Sequence, residues 1–457
     1  MKKILILSLA VISLYGCGDR LDILPEDALT PAQVFADAAG SEAAVLGMYQ
    51  FARSANVLNG TPQLLQEWQS DNVDFEGSFP TFQEVKNYEI LADNTSIEAI
   101  YNSYYNVIGQ ANVVIANLPE VTDPSLTQVR KNELIGEAKF MRALMYFQLA
   151  DIFGQPVQQG GRVNLSLPLV LIPDGDPEPP RATLGEVQDQ IETDLIDAIA
   201  VLSNDDNSRA TQGAAQALLA RLYLYQERFP EAAIRANDAL SNTEFALAPN
   251  YLFYGADRSA EHFFVLINSA VNGQPAQGYA SLTNPAPNGR GDAPFSDDLL
   301  AAYNENPGDL RFVNLNQVGT SAEPAQRTFT AKFPDGVNNS DNAPVLRYTE
   351  ALLTRAEANF RAGSAVGATP LSDINRLRSR ADISPIILLT LNQILIERRK
   401  ELAFEGQRRM DLLRNGRALR RPGMPNEAAS AAGQQQTILP IPAREVELIN
   451  LVQNPGY

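Results

Sequence analysis

Cys17 is the only cysteine in the 457-residue chain, so no intrachain disulfide can form and the fold has to rest on a hydrophobic core. Its position carries as much information. Met1, Lys2 and Lys3 form a short basic head, Ile4 to Tyr15 is almost wholly apolar yet too short to stay in a bilayer as a transmembrane helix, and a polar run follows Cys17. Residues 1–16 therefore read as a signal peptide, and residues 17–457 as the mature body, expected to be one domain. No later stretch approaches about eighteen uninterrupted apolar residues, so a lipid anchor would be the only attachment to a membrane.

Charge excludes one class of partner. The chain carries a net −18, and losing Lys2 and Lys3 with the leader takes it to −20. A phosphate backbone needs clustered lysine and arginine in a favourable field, and this field has the wrong sign, so nucleic acid is not expected as a partner. The single histidine, His262, leaves little for histidine-based metal sites or nucleophile triads. Neither a metal nor a cofactor is expected, and the chain is not expected to be an enzyme.

The periodicity is helical. Thr30-Pro31 is a cap followed by a first-turn proline, and Val34, Ala38, Val45 and Met48 follow at helical spacing. Ile97 to Leu118 and Leu126 to Phe153 are two further runs, the first ended by Pro119 and the second by Gly154 and Pro156. Proline and glycine between Gln155 and Arg181 predict a loop. Helix resumes at Thr183-Leu184-Gly185-Glu186, a capping box, and runs to about Leu202.

Thr211 to Gln226 and Pro230 to Leu240 form the most regular pair. Ala217, Ala220, Ala232 and Ala236 stand at close-packing positions, so Gly213 to Ala239 resembles a tetratricopeptide hairpin. Glu133–Phe153 with Leu184–Leu202, and Tyr348–Ala362 with Thr369–Arg380, are candidate related hairpins. The fold class expected is predominantly α, a tetratricopeptide-like helical hairpin scaffold with long irregular insertions and minor β structure. The largest insertion spans about 242–343, with Phe263 to Ile267 as its clear strand and Ser296 to Tyr303 as its longest helix. Its many aromatic residues argue against disorder, and a loop of such length tends to carry function.

The C-terminal third is the most specific. Val345-Leu346-Arg347-Tyr348-Thr349-Glu350-Ala351 opens a run to Asn359; Ile374-Asn375-Arg376-Leu377-Arg378-Ser379-Arg380 follows; Glu397-Arg398-Arg399-Lys400-Glu401-Leu402-Ala403-Phe404-Glu405-Gly406 lies within Ile394 to Arg414; the chain closes on Asn454-Pro455-Gly456-Tyr457. These motifs resemble the SusD/RagB-like outer-membrane lipoproteins of Bacteroidetes, as do Glu137-Ala138-Lys139-Phe140-Met141-Arg142 in the middle of the chain. Leu14-Tyr15-Gly16-Cys17 likewise resembles a lipobox, which implies lipidation at Cys17. The resemblance implies a monomeric helical body, lipid-anchored on the outer membrane and facing the cell exterior. It also implies capture of an oligosaccharide or other nutrient for a SusC-like TonB-dependent transporter. The alternative is a lipoprotein scaffold whose tetratricopeptide-like hairpins bind peptides or assemble an envelope complex.

Glu397, Glu401 and Glu405, four apart on one expected helix with Arg408 and Arg409 beyond, look catalytic at first sight. Glycoside hydrolysis needs two carboxylates flanking the substrate across a cleft, so acids alternating with arginines along one helix read as ion pairs instead. Arg347, Glu350, Arg355, Glu357 and Arg376 read as framework for the same reason. Ligand residues are expected in polar loops with aromatics, since a sugar offers an apolar face and a rim of hydroxyls. Two stretches qualify: Trp68, Asp71, Asn72 and Phe75; and Tyr279, Asn288, Arg290, Asp292 and Phe295. Trp68, the only tryptophan, has a second reading as a packing residue, and Ser70-Asp71-Asn72 one as a capping turn.

Overall fold

The computed structural model describes residues 30–173, 178–255, 258–271, 277–420 and 422–457, so Cys17 and the leader lie outside the described residues. The Thr30 hydroxyl accepts the Gln33 amide N–H, and the Gln33 carboxamide accepts from the Thr30 backbone. That capping box starts α1 (Pro31–Val34), and α2 (Ala38–Ala52) follows with Asp37 as its cap. Two short helices, α3 (Thr61–Trp68) and α4 (Pro80–Asn87), flank a coil.

Long helices then come in series. Asn94 caps α5 (Thr95–Asn117) through two backbone amides, and Thr127 caps α6 (Gln128–Phe153). The Gln155–Arg181 stretch, expected as loop, contributes β1 (Leu165–Pro168), which pairs antiparallel with β2 (Arg181–Thr183). Arg181 holds that corner by donating to the carbonyls of Ser166 and Val452. The Thr183–Glu186 capping box opens α7 (Leu184–Val201) where the motif predicts it. The hairpin α8 (Gln212–Tyr225) and α9 (Phe229–Leu240) completes the series.

In this series each helix packs on its successor, from α5 through α9. The apolar positions that made the pattern legible are the ones buried: Tyr104, Leu144, Leu195, Leu218 and Ala236 are all inaccessible to solvent. Burying each large apolar side chain contributes roughly 1.5 to 3 kcal/mol, which orders the helices without any disulfide. No helix among the described residues is long and apolar enough to cross a membrane.

After α9 the chain leaves the scaffold. The insertion contains β3 (His262–Leu266), α10 (Tyr279–Thr283), α11 (Asp297–Asn304), α12 (Leu310–Val313), β4 (Asn316–Thr320) and β5 (Gln326–Thr330), and β6 (Ala343–Arg347) closes it. β3 pairs antiparallel with β6, His262 opposite Arg347 and Leu266 opposite Ala343, so the two ends of the excursion are stitched together. The helix that follows, α13 (Tyr348–Ala362), packs directly on α9 and then on α14 (Pro370–Arg380). The scaffold thus continues as though the insertion were absent. The β4–β5 hairpin is more structure than the sequence suggested, because its strands are polar and half exposed on both faces and show no alternation.

Ile394 to Arg414 is not one helix. α15 (Leu391–Leu402) ends before Phe404 and Gly406, both with positive φ (69° and 74°), and α16 (Arg408–Leu413) restarts on a new axis. Glu405 therefore sits in the turn, and Arg408 and Arg409 do not pair with it along a helix face. Arg409 instead donates to the backbone carbonyls of Asp151 and Thr437. The acids nevertheless meet cations from other elements. Glu397 pairs with Arg311 and Arg378, Glu401 with Arg347 and Arg380, and Glu405 with Arg347 and Lys332. α17 (Ala443–Leu448) precedes the C-terminal turn.

Candidate functional site

The coil between α3 and α4 runs alongside the segment leading into α11. Val73 bridges Phe295, the Asp74 amide donates to the Pro294 carbonyl at 3.0 Å, and the Glu76 amide to the Asp292 carbonyl at 2.9 Å. Ser296 adds two more bonds, from its amide to the Asn72 carbonyl and from its hydroxyl to the Asp71 carbonyl. Two stretches more than two hundred residues apart, each nominated for ligand contact, are thereby one local ladder.

The ladder does not present the aromatics as platforms. Trp68 is only 3% exposed, with Phe75 and Phe82 at ring-centroid distances of 4.8 and 5.0 Å. Tyr279 stacks on Phe333 at 4.1 Å, and Phe295 lies 4.8 Å from Phe404 beside Phe312 and Tyr303. In this conformation the expectation of flat sugar shelves at Trp68, Phe75, Tyr279 and Phe295 gives way to packing, because each ring buries more area against its neighbours than an exposed shelf would.

The polar members divide the same way. Asp71 accepts a forked pair from Arg408 at 2.6 and 2.7 Å, which holds its carboxyl below the usual range against the effect of burial. Asn72 donates to Glu67 and accepts from Arg399, which also reaches the Asp71 carbonyl and Asp298. These residues bolt the loop to α15 and α16. Burial pushes the Glu67 carboxyl up to about 7, opposed by its bonds from Asn72 and the Gly406 amide and by the nearby Lys332 and Arg408.

What faces outward is smaller. The Arg290 guanidinium lies 4.3 Å over the Phe79 ring and donates through Nε to Asp292 at 2.8 Å. Its side chain stays one-third exposed, and neighbouring Asn288 is exposed. Asp292 is fully buried, keeps one carboxylate oxygen without a donor, and has its pKa raised by burial, with Arg290 opposing. Alongside, Glu76 accepts from Arg327 of β5 at 2.5 Å and also keeps one oxygen unpaired. Gly77 is required between them, since a Cβ there would stand 2.6 Å from the Asp292 carboxyl carbon and 2.7 Å from the Phe75 ring.

Glu76 and Arg327 are functional candidates that sequence reasoning missed. Arg327 lies in a polar hairpin with no motif, and only the folded register of β5 brings it to Glu76. Chemically the patch offers guanidinium N–H donors, shielded carboxylate acceptors and an aromatic edge, which suits polyhydroxyl ligands. Among the described residues no group of three or more His, Cys, Asp or Glu is placed to hold a metal ion. His262 is buried beside Phe253, and burial lowers its pKa to about 4, so it is neutral at pH 7.

Comparison with known proteins bears on the whole chain. Residues 21–224 match a family model described as "Starch-binding associating with outer membrane", and residues 325–457 match one described as "SusD family". SusD-like protein P2 of Formosa agariphila is 28% identical over 98% of both chains. A crystal structure of a SusD superfamily protein from Bacteroides thetaiotaomicron superposes with a TM-score of 0.84 at 26% identity, covering 91% of this chain and 99% of that one. A putative sugar-binding protein from Bacteroides vulgatus gives a TM-score of 0.81 at 25% identity, covering 92% and 98%.

Proposed function

The chain belongs to the SusD/RagB family of outer-membrane nutrient-binding proteins of Bacteroidetes, and from that premise we propose that the Phe79–Arg290–Asp292 patch is where it grips a saccharide. Members of this family bind glycans or other nutrients at the cell surface, are outer-membrane lipoproteins facing the exterior, and are binding proteins rather than enzymes. Family identity implies pairing with a SusC-like TonB-dependent transporter. Delivery of the captured saccharide to that transporter by this chain, as one folded unit tethered through lipid at Cys17, is part of the proposal.

One observation carries the site: a guanidinium 4.3 Å over an aromatic ring, fixed by a single carboxylate bond, with its remaining N–H donors unused among the described residues. A pair of vicinal hydroxyls matches such a fork, while the ring supplies an apolar edge for C–H groups. The unpaired oxygens of Asp292 and Glu76 lie beneath the same patch. Asn288 and Arg327 flank the same patch. The resemblance of relatives named for starch or sugar binding supports the ligand class.

Calorimetric titration with hexasaccharides cut from starch and from laminarin tests this reading. R290A is expected to weaken the best ligand by about 1.5 to 3 kcal/mol, the scale of a hydrogen bond to a charged group. If R290A and F79A both bind as tightly as wild type, the patch is not the site. C17A is expected to leave the membrane fraction, and retention of that variant would break the anchoring proposal.

A further inference from the structure

A second cleft, of about 270 Å³, opens on the N-terminal half of α5. Its aromatic lining is the pair Tyr101 and Tyr105, with ring centroids 4.8 Å apart, and the buried Phe153 packs edge-on behind Tyr101 at 5.2 Å. Tyr105 is held in place because its hydroxyl donates to the Pro168 carbonyl at 2.8 Å, and the residue is half-buried where it lines the cleft. Pro168 and Ile449 wall the space, bringing β1 and the segment after α17 against the same helix. Nothing in the patch around Arg290 contributes to it.

Two polar side chains stand at the cleft beside that aromatic floor. The Asn102 carboxamide and the Glu445 carboxylate each lack a hydrogen-bond partner among the described residues, and both are only partly covered. Other amides of the scaffold are satisfied: Asn72, Asn112 and Asn359 each bond twice or more. Partial burial raises the Glu445 pKa, and Glu98 adds to the effect while Arg444 opposes it. An amide that can both donate and accept, a carboxylate acceptor and a phenol face are the complement of one pyranose ring: C–H groups on the ring, hydroxyls on the rim.

We propose that the Tyr101–Tyr105 cleft is a second saccharide subsite, in which Tyr105 supports one neutral sugar unit while Asn102 and Glu445 hold its hydroxyls. The assignment rests on the reading of the chain as a saccharide binder, and it adds an independent weak site to the first. Its size suits a single unit, near the lower end of ligand-pocket volumes. Linked units of one glycan bound at two places gain by effective concentration when the chain between them can span the gap. A weak subsite is therefore useful to a protein that has to retain long chains at a surface.

The test uses the full body of the chain and the same two hexasaccharides, in four proteins: wild type, F79A/R290A, N102A/E445A, and all four changes together. Asn102 and Glu445 bond nothing, so their replacement should leave thermal unfolding unmoved. F79A/R290A is expected to retain measurable weak binding that falls about tenfold further when N102A/E445A is added. Y105A tests the floor in the same background, with its unfolding midpoint measured alongside. Residual binding indifferent to the rim changes overturns the cleft and leaves the Arg290 patch standing. Binding abolished by F79A/R290A alone also overturns it. Binding indifferent to F79A/R290A but lost with N102A/E445A would retain the cleft and remove the patch, and a wild type that binds neither sugar removes both.

Discussion

Arg347 and Arg290 are built from the same parts and end in opposite conditions. Each guanidinium lies near an aromatic ring, Arg347 at 5.7 Å from Phe253 and Arg290 at 4.3 Å from Phe79, and each meets carboxylates. Arg347 is buried, and its N–H groups reach Glu405, Glu401, Glu261 and the Glu401 carbonyl. Arg290 spends one N–H on Asp292 and stays a third exposed. A closed network has no donors to offer a ligand and pins β6 to α15. An open one keeps donors in reserve, so what separates the framework arginine from the proposed site arginine is saturation and exposure, not residue type.

The comparison breaks most visibly if the framework arginine is removed. R347A leaves Glu401 and Glu405 buried with less compensation, and roughly 3 to 5 kcal/mol of stability should go. Denaturant unfolding measures it, and a loss under about 1 kcal/mol would mean the network is slack. W68A should cost a similar roughly 3 to 5 kcal/mol, through the cavity left against Phe75 and Phe82. Saccharide affinity of the folded fraction should not change; a stable W68A that has lost binding would restore the tryptophan as a platform.

R290K sharpens the other side. It keeps the charge and discards the flat fork, so affinity should fall partway toward R290A, while stability moves by less than about 1 kcal/mol, as for other partly exposed ion pairs. A variant that unfolds early would place Arg290 with the framework. A separate readout of the framework is pH dependence. Glu405 and Asp411 have pKa values lowered to about 2 by arginine and lysine neighbours, so their contribution is present above the unfolded-state values near 4 and is lost as pH falls toward 2. Glu67 runs the other way. Its folded value near 7 exceeds the unfolded one, so its contribution is complete below about 4.5 and fades as pH rises through 7. E67Q should flatten the stability profile in that upper window alone, and an unchanged slope there would argue against a proton on Glu67.

The legible parts of the fold were those governed by neighbours in sequence. Thr30 with Gln33 and Thr183 with Glu186 cap helices in the register their spacing implies, because a cap bonds an amide three residues away. The break at Phe404 and Gly406 was hidden by the continuous pattern of acids and arginines on either side, and Gly406 was its only local signal. The ladder joining Val73 to Phe295 had no local signal at all. Both stretches were recognised as polar and aromatic, yet their pairing depends on where α3 and α11 are carried by the scaffold.

By itself the sequence determined the helical scaffold, the family and the kind of chemistry available, since helix periods, caps and ordered motifs are short-range properties of the chain. Only the tertiary structure placed Trp68, Phe75, Tyr279 and Phe295 in buried ring clusters and left the Arg290 side chain one-third exposed. Burial is set by what arrives from elsewhere in the chain: Phe82, Phe333 and Phe404 close over those rings, whereas Phe79 meets the Arg290 guanidinium and leaves the side chain one-third exposed.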